Sequence, residues 1–125
     1  MMNSSDINGL LKKEAVQEYT SEFEELNNPM EELTDIFCLS GSMTRFKILY
    51  ILMKEEKVCV NSFCEIFDIS SPAISQHLRK LKDFGLIKSR KSGQYVIYSI
   101  NEKYLHILSE VFKLYENTKA ELVIA

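Results

Sequence analysis

The sequence predicts a mainly α-helical fold with one small β-hairpin. Apolar residues recur at helical spacing along most of the 125-residue chain, and two strand-like runs flank Ser92-Gly93. Between two helical stretches, Asp68-Ile-Ser is expected to make a tight turn that leads into a capped amphipathic helix. A short helix, a tight turn, a second helix and a hairpin together predict a winged helix-turn-helix.

An acidic helical stretch, residues 6–27, opens the predicted fold. Its apolar residues follow alternating three- and four-residue steps, a coiled-coil-like stripe, at Val16, Tyr19, Phe23 and Leu26. Asn27-Asn-Pro29 is expected to break this helix, because proline lacks the amide that a helix interior needs. A second helix then continues the same spacing towards Gly41, with Met30, Leu33, Ile36 and Phe37.

The middle of the chain carries the helix-turn-helix. Residues 44–55 are apolar nearly all round, which predicts a helix buried at the centre of the domain. Residues 60–67 form a short helix before the turn, and residues 70–85 form the next helix. Ser70 or Ser71 can cap the start of this helix, and Gly85 can end it in a left-handed conformation. One stripe of the helix is apolar and faces the core: Ile74, Leu78 and Leu81.

The opposite face of that helix, together with the hairpin, is the candidate DNA-binding surface. Short hydroxyls, an amide and cations are the groups that hydrogen-bond base edges and phosphates. The residues on the helix are Ser71, Ala73, Ser75, Gln76, Arg79 and Lys80. On the first strand of the wing, Lys88 and Arg90 share one face and Lys91 lies at the tip. A solvated surface helix is the alternative, which the surrounding turn and hairpin disfavour.

The charge distribution supports this assignment although the net charge is −3. Residues 1–36 hold nine acids and two lysines, whereas residues 37–125 hold nine acids and thirteen bases. The acidic charge is therefore concentrated in the N-terminal stretch, and the remainder is basic. Phosphate contact requires a local cationic patch rather than a positive whole-chain charge.

A last helix, residues 102–118, also carries a wide apolar stripe. The stripes of the outer helices exceed what one small core can bury, so we expect a twofold-symmetric homodimer formed by residues 6–40 and 102–118. The alternative is that they cover the core of their own subunit. The predicted organisation is an acidic helical extension (1–29), a winged-helix DNA-binding and dimerisation domain (30–118) and a C-terminal tail (119–125).

Composition bounds the remaining function classes. No apolar run is long enough to span a bilayer and no signal peptide is recognisable, so a cytoplasmic protein without a membrane partner is expected. Three cysteines, an odd number, do not suggest a disulfide framework. No phosphate-binding loop or metal-hydrolase spacing occurs, so no enzyme is predicted. The rival class is a winged helix that serves only as a protein-interaction module.

Four segments carry a family resemblance: residues 36–49, 57–60, 75–81 and 85–100. In order and spacing they resemble the ArsR/SmtB family of metal- and redox-responsive winged-helix repressors. The likeness extends over residues 31–115. It implies a homodimer, built on the first and last helices, that blocks transcription at a palindromic operator in double-stranded DNA until an inducer releases it.

The family's sensor sites are only partly present. One family site often reads Cys-Val-Cys-Asp, where this chain has Cys59-Val60-Asn61-Ser62, and Cys64 occupies the third thiol position of arsenic-sensing members. Redox-sensing members use a late cysteine where this chain has Glu116. A second family site needs Asp and His, and it is lost here because the aligned residues are Glu102, Tyr104, Tyr115 and Thr118.

What remains is thiol chemistry at Cys59 and Cys64, with Cys38 as a third group. These thiols would capture a soft metal or metalloid ion, or close a disulfide under oxidation. On one continuous helix Cys59 and Cys64 would point about 140° apart, so they converge only if Cys59 precedes the helix or the first turn unwinds. The alternative is that all three are packing residues and the repressor has no metal sensing.

Overall fold

The computed structural model describes residues 10–124, with side chains for residues 10–122. Over this range the elements are α1 (Lys13–Ser40), α2 (Met43–Glu55), β1 (Val58–Cys59), α3 (Val60–Phe67), α4 (Ser71–Phe84), β2 (Ile87–Ser92), β3 (Tyr95–Ile100), a 3-10 turn (Glu102–Tyr104) and α5 (Leu105–Ile124). The strands form one antiparallel sheet in the order β1-β3-β2. The predicted winged helix-turn-helix is confirmed, and the two-residue strand β1 is an addition to it.

The predicted break near Asn27-Asn-Pro29 lies one residue earlier, at Leu26. That residue leaves helical geometry (φ −109°, ψ 15°), so α1 consists of two helices joined at a kink. Pro29 therefore lies in the first turn after the kink, where its missing N–H costs little. The helix begins at Lys13; residues 6–9 of the predicted helix lie outside the described residues, and residues 10–12 are not helical.

The chain consists of two compact units, and the boundary between them lies between Phe37 and Cys38. In the first unit, the predicted apolar stripe of α1 is largely uncovered, with 39–54% of each side chain exposed at Val16, Tyr19, Phe23, Leu26, Met30, Leu33 and Phe37. The rings of Tyr19 and Phe23 stack along this stripe, with centroids 6.3 Å apart. The single chain therefore leaves a seven-residue apolar stripe in contact with solvent.

The second unit holds the winged helix and its core. That core is made by fully buried side chains of α2, α3, α4, β2 and α5, among them Leu49, Phe63, Leu78, Ile87 and Leu108. Helix α2 contributes Ile48, Leu49 and Leu52 to this core, and these buried residues lie on one of its faces. Its other apolar face is half-buried and meets α5 in an aromatic cluster of Phe46, Tyr50, Phe112 and Tyr115.

The wing turn lies one residue later than predicted. Ser92 pairs with Tyr95, so the two-residue loop is Gly93-Gln94 rather than Ser92-Gly93. Gly93 has a φ of 62° and Gln94 is not among the residues with positive φ, as in a type II′ hairpin turn. This turn matches the right-handed twist of the strands, which explains why glycine is the first loop residue.

Helix α5 also differs from its predicted bounds. It continues to Ile124, so the segment after Thr118, expected to be a tail, is helical through residue 124. Residues 119–124 contain no glycine or proline that would end a helix. Among the described residues no single helix is long and apolar enough to cross a membrane; by length and composition, only α1 and α2 counted together across their bend pass that test.

Gly85 provides the first testable prediction, because it ends α4 with a φ of 102°. Apart from Gly85 and its two chain neighbours, no residue has an atom within 4 Å of the position that a Cβ would take, so Gly85→Ala should cost only backbone strain. We expect the free energy of unfolding to fall by about 1–2 kcal/mol. Urea denaturation should show a lower midpoint with an unchanged slope. Gly41→Ala, at a glycine without positive φ, is the control, and equal losses in both variants would contradict this explanation.

Candidate nucleic-acid interface

Helix α4 buries one face in the core and leaves most of the opposite face exposed to solvent. Ser70 caps its start, since its Oγ accepts a hydrogen bond from the Ala73 amide at 3.4 Å. The apolar stripe of Ile74, Leu78 and Leu81 has no exposed surface. Five of the six predicted contact residues on the other face are exposed, namely Ser71, Ser75, Gln76, Arg79 and Lys80, and Ala73 is half-buried. The structure therefore places the polar groups of α4 together on its outer side.

Arg45 and His77 fix this helix against the start of α2. Arg45 Nη1 donates to His77 Nδ1 at 3.4 Å, and Arg45 Nε donates to the carbonyl oxygen of Leu39 at 2.8 Å. A guanidinium has only donors, so Nδ1 has to accept and the ring proton of a neutral His77 resides on Nε2. Partial burial, then the charges of Arg45 and Lys80, lower the pKa of His77. His77 is thus a packing residue that contacts Arg45.

Asn101 links the end of β3 to the end of α4. Its side-chain amide donates to the carbonyl oxygen of Gly85 at 2.8 Å, and its backbone amide donates to that of Leu86 at 2.9 Å. These bonds tie the last residue before the 3-10 turn to the segment between α4 and β2. The base of the wing is therefore tied to the end of α4 by local hydrogen bonds.

The three wing cations are exposed but not equivalent. Lys88 Nζ lies 2.5 Å from Glu102 Oε2, and this hydrogen bond lowers the pKa of Glu102. Among the described residues, Arg90 and Lys91 form no ion pair. The charge of Lys88 is thus partly balanced within the chain, whereas Arg90 and Lys91 remain free for an external anion.

The cysteines are not gathered into one site. All three are free thiols; Cys38 is exposed, whereas Cys59 and Cys64 are half-buried. Cys59 has extended geometry at the residue before α3 (φ −96°, ψ 163°), so it precedes the helix. Its Sγ lies 3.5 Å from Ser62 Oγ, and hydrogen bonding to the Ser62 side chain and backbone lowers the pKa of Cys59. In the described part of the chain, no three His, Cys, Asp or Glu side chains group as metal ligands would.

Sequence reasoning missed three of the residues that position this surface. Arg45 contacts a residue 32 positions away and Glu102 one 14 positions away, and no local pattern indicates such pairs. Asn101 carried a weak signal, because an asparagine directly before a helical segment is a common cap. Its side-chain oxygen does accept from the Lys103 amide at 3.2 Å.

Comparison with known proteins agrees with this geometry. The family model described as bacterial regulatory protein, arsR family, matches residues 42–89. A Staphylococcus aureus protein described as a cadmium resistance transcriptional regulatory protein CadC homolog is 35% identical over 95 residues, which cover 76% of this chain and 78% of that protein. The chain belongs to the arsR family of bacterial regulatory proteins. Members of this family are DNA-binding transcriptional regulators, so the chain is not an enzyme.

Two solved structures share this fold. NolR from Sinorhizobium fredii is 27% identical, with a TM-score of 0.61 over 73% of this chain and 91% of that one. Reduced HlyU from Vibrio cholerae N16961 is 24% identical, with a TM-score of 0.66 over 74% of this chain and 97% of that one. The second likeness supports the fold alone.

The depressed pKa of His77 predicts how stability depends on pH. As pH falls below the unfolded value of about 6.5, the unfolded chain binds a proton that the folded chain resists, so the free energy of unfolding should decrease. This loss should begin near pH 7 and level off once pH is below the folded pKa. Urea midpoints measured from roughly pH 8 to pH 5 should therefore fall less in His77→Gln than in wild type.

His106→Gln is the matched control for that experiment, since His106 is exposed on α5. Its midpoints should follow those of wild type. Identical pH profiles for wild type and His77→Gln would contradict the role assigned to the Arg45–His77 contact.

Proposed function

We propose that this DNA-binding transcriptional repressor acts as a homodimer on a palindromic operator, with α4 in the major groove and the wing on neighbouring phosphates. The observation that carries the proposal is the division of α4 into a fully buried apolar stripe and an exposed polar face. A helix fixed in this way can present the same side chains to every operator. The protein would act in the cytoplasm, where the chromosome of a bacterium lies.

The exposed face of α4 supplies suitable groups for reading bases. Gln76 can make a bidentate contact with adenine, and Arg79 can do so with guanine. Ser71 and Ser75 can donate to or accept from either base edges or phosphates, and the half-buried Ala73 can contact a thymine methyl group. Lys80 lies at the edge of this face and suits a phosphate.

The wing adds contacts that do not depend on sequence. Arg90 and Lys91 carry charges that the described chain leaves unbalanced, and each would displace counterions from a phosphate. Lys88 would contribute less, because it would have to exchange Glu102 for a phosphate. The wing therefore strengthens binding without selecting bases.

A second copy of this chain is the proposed partner of the exposed stripe on α1. Seven residues follow alternating steps of three and four from Val16 to Phe37, which is the spacing of a helix that packs along another helix. On α5, the exposed Leu105, Leu114 and Leu122 give a further uncovered apolar surface. A twofold-symmetric dimer would cover such surfaces and would match a palindromic operator.

The proposal assigns no metal effector. The Staphylococcus aureus relative is described as a cadmium resistance regulator. Among the described residues of one chain, however, no three His, Cys, Asp or Glu side chains lie close enough together to hold a metal ion. A soft-metal site therefore forms no part of the proposal. Metal or redox chemistry at Cys59, Cys64 and Cys38 remains a prediction from sequence.

The roles of α4 and the wing predict different responses to mutation. Gln76→Ala should weaken operator binding by roughly 1–3 kcal/mol and relax preference at one base pair, because a base contact is lost. Lys91→Ala should weaken all DNA sequences alike and reduce the salt dependence by about one charge. Fluorescence anisotropy over a salt series measures both effects.

Lys88→Ala is the matched control for Lys91→Ala. The salt dependence should change less in this variant, because Glu102 already balances Lys88. Operator affinity that is unaffected by both Gln76→Ala and Lys91→Ala would contradict the proposed DNA-binding surface and leave a protein-interaction module as the better explanation.

The α1 stripe predicts that dimerisation can be disrupted by one buried charge. Phe23→Asp should shift the protein towards a monomer at micromolar concentration, because the partner would bury an unpaired carboxylate. Ser21→Asp adds the same charge on an exposed, off-stripe position of the same helix and should remain dimeric. Sedimentation velocity measures both. A monomeric wild type, or equal behaviour of the two variants, would contradict the proposed interface.

A further inference from the structure

We propose that a groove between α2, α3 and the wing binds a neutral, aromatic-sized enone, which the Cys59 thiol captures covalently, and that the adduct releases operator DNA. The groove has a volume of about 820 Å³ and is lined by side chains from α2, β1, α3, β2 and β3. This volume lies within the range of small-molecule sites in proteins. The release step rests on the proposed function, whereas ligand capture does not.

The lining favours an apolar ligand. It includes Tyr50, Ile51, Val58, Ile66, Tyr95 and Ile97. Ile66 is 58% exposed and Tyr95 is 48% exposed, so both leave apolar surface in contact with water in the single chain. A flat aromatic molecule in the groove would cover these two side chains. The transfer of that surface out of water would favour binding.

The charged residues of the groove do not select an ion. Lys54, Glu55 and Lys57 line it and carry both signs. Lys54 is already engaged, since its Nζ lies 3.9 Å from Glu116 Oε1 and 5.3 Å from the centre of the Tyr50 ring. A charged ligand would therefore gain little from these groups, and a neutral molecule is the better match.

The thiol gives the site its chemistry. Of the three cysteines, Cys59 is the one that lines the groove, and Ser62, whose Oγ lies 3.5 Å from Cys59 Sγ, lines it as well. The sulfur is thus placed beside apolar walls at the surface of the cavity. An enone held against those walls would present its electrophilic carbon to the sulfur at high effective concentration.

The capture step is an addition that balances without an oxidant. The Cys59 sulfur forms a bond to the β-carbon of the enone, and the π electrons of the C=C bond move to give an enolate. The thiol proton passes to solvent, and the enolate carbon takes up a proton from water. One C–S bond and one C–H bond replace the S–H bond and the C=C π bond.

The position of the groove links it to the DNA-binding surface. Cys59 pairs with Ile97 in the sheet, and Ser92 and Tyr95 flank the wing turn. Ile66 lies on α3, the first helix of the helix-turn-helix. An adduct therefore contacts the wing and α3 at once, and a shift of either would alter the position of the wing cations relative to α4.

Reaction rates with two maleimides test ligand capture. N-phenylmaleimide presents the same reactive C=C–C=O unit as an enone in a neutral aromatic molecule, and N-(2-hydroxyethyl)maleimide is its polar counterpart. Both rates are normalised to those with glutathione. Peptide mass spectrometry should show that the aromatic reagent modifies Cys59 about tenfold faster than the polar one, since partial burial of a phenyl ring contributes a factor of that order. The exposed Cys38 should show no such preference.

Ile66→Ser should remove this preference, and Met43→Ser should keep it. Both residues are exposed, so both variants should fold, which circular dichroism verifies, and Met43 does not line the groove. Equal normalised rates at Cys59 for the two maleimides, or the same preference in both variants, would overturn the proposed site.

Operator affinity then tests release. In a Cys38→Ser/Cys64→Ser background, N-phenylmaleimide should weaken operator binding at least about tenfold, a change within the usual range for an allosteric inducer. The same protein with Cys59→Ser should bind operator and ignore the reagent. If the unmodified and the modified protein bind the operator equally well, the proposed release is wrong. If the unmodified protein binds no DNA, the proposed function is contradicted and the capture result stays intact.

Discussion

The burial of one stripe of α4 is the constraint on which the rest of the structure depends. Ile74, Leu78 and Leu81 have no exposed surface, and each contributes about 1.5–3 kcal/mol when transferred from water to a packed core. This packing fixes the rotation of the helix about its axis. With the rotation fixed, the polar residues of the opposite face have to point away from the protein.

The ends of α4 hold that orientation from both sides. Ser70 caps the start and Gly85 ends the helix in a left-handed conformation, so the exposed polar face of α4 has a defined length. Asn101 binds the backbone at Gly85 and Leu86 and fixes the wing beside it. Glu102, the residue after Asn101, pairs with Lys88 of the wing. This pair reduces the positive charge of the wing without removing it.

The features of the fold that local residues determine were predictable. The stripe, cap and stop of α4 lie within 16 residues of sequence, and the glycine in the wing identifies its turn to within one position. The break near Pro29 was predicted to within one residue, since it lies at Leu26 and leaves Pro29 in the first turn of the next helix, where proline is tolerated. The contacts Arg45–His77 and Lys88–Glu102 could not be predicted, because they depend on how separate elements pack.

A hydroxyl-radical footprint on an operator selected from random duplexes tests the central claim most directly. A dimer that places one α4 in each of two major grooves should protect two half-sites whose centres lie about 10–10.5 base pairs apart, with matching inverted sequences. Gln76→Ala should change the selected sequence within the half-sites and leave their spacing intact. Selection that yields no shared sequence, or protection of one site without a twofold-related partner, would contradict the account.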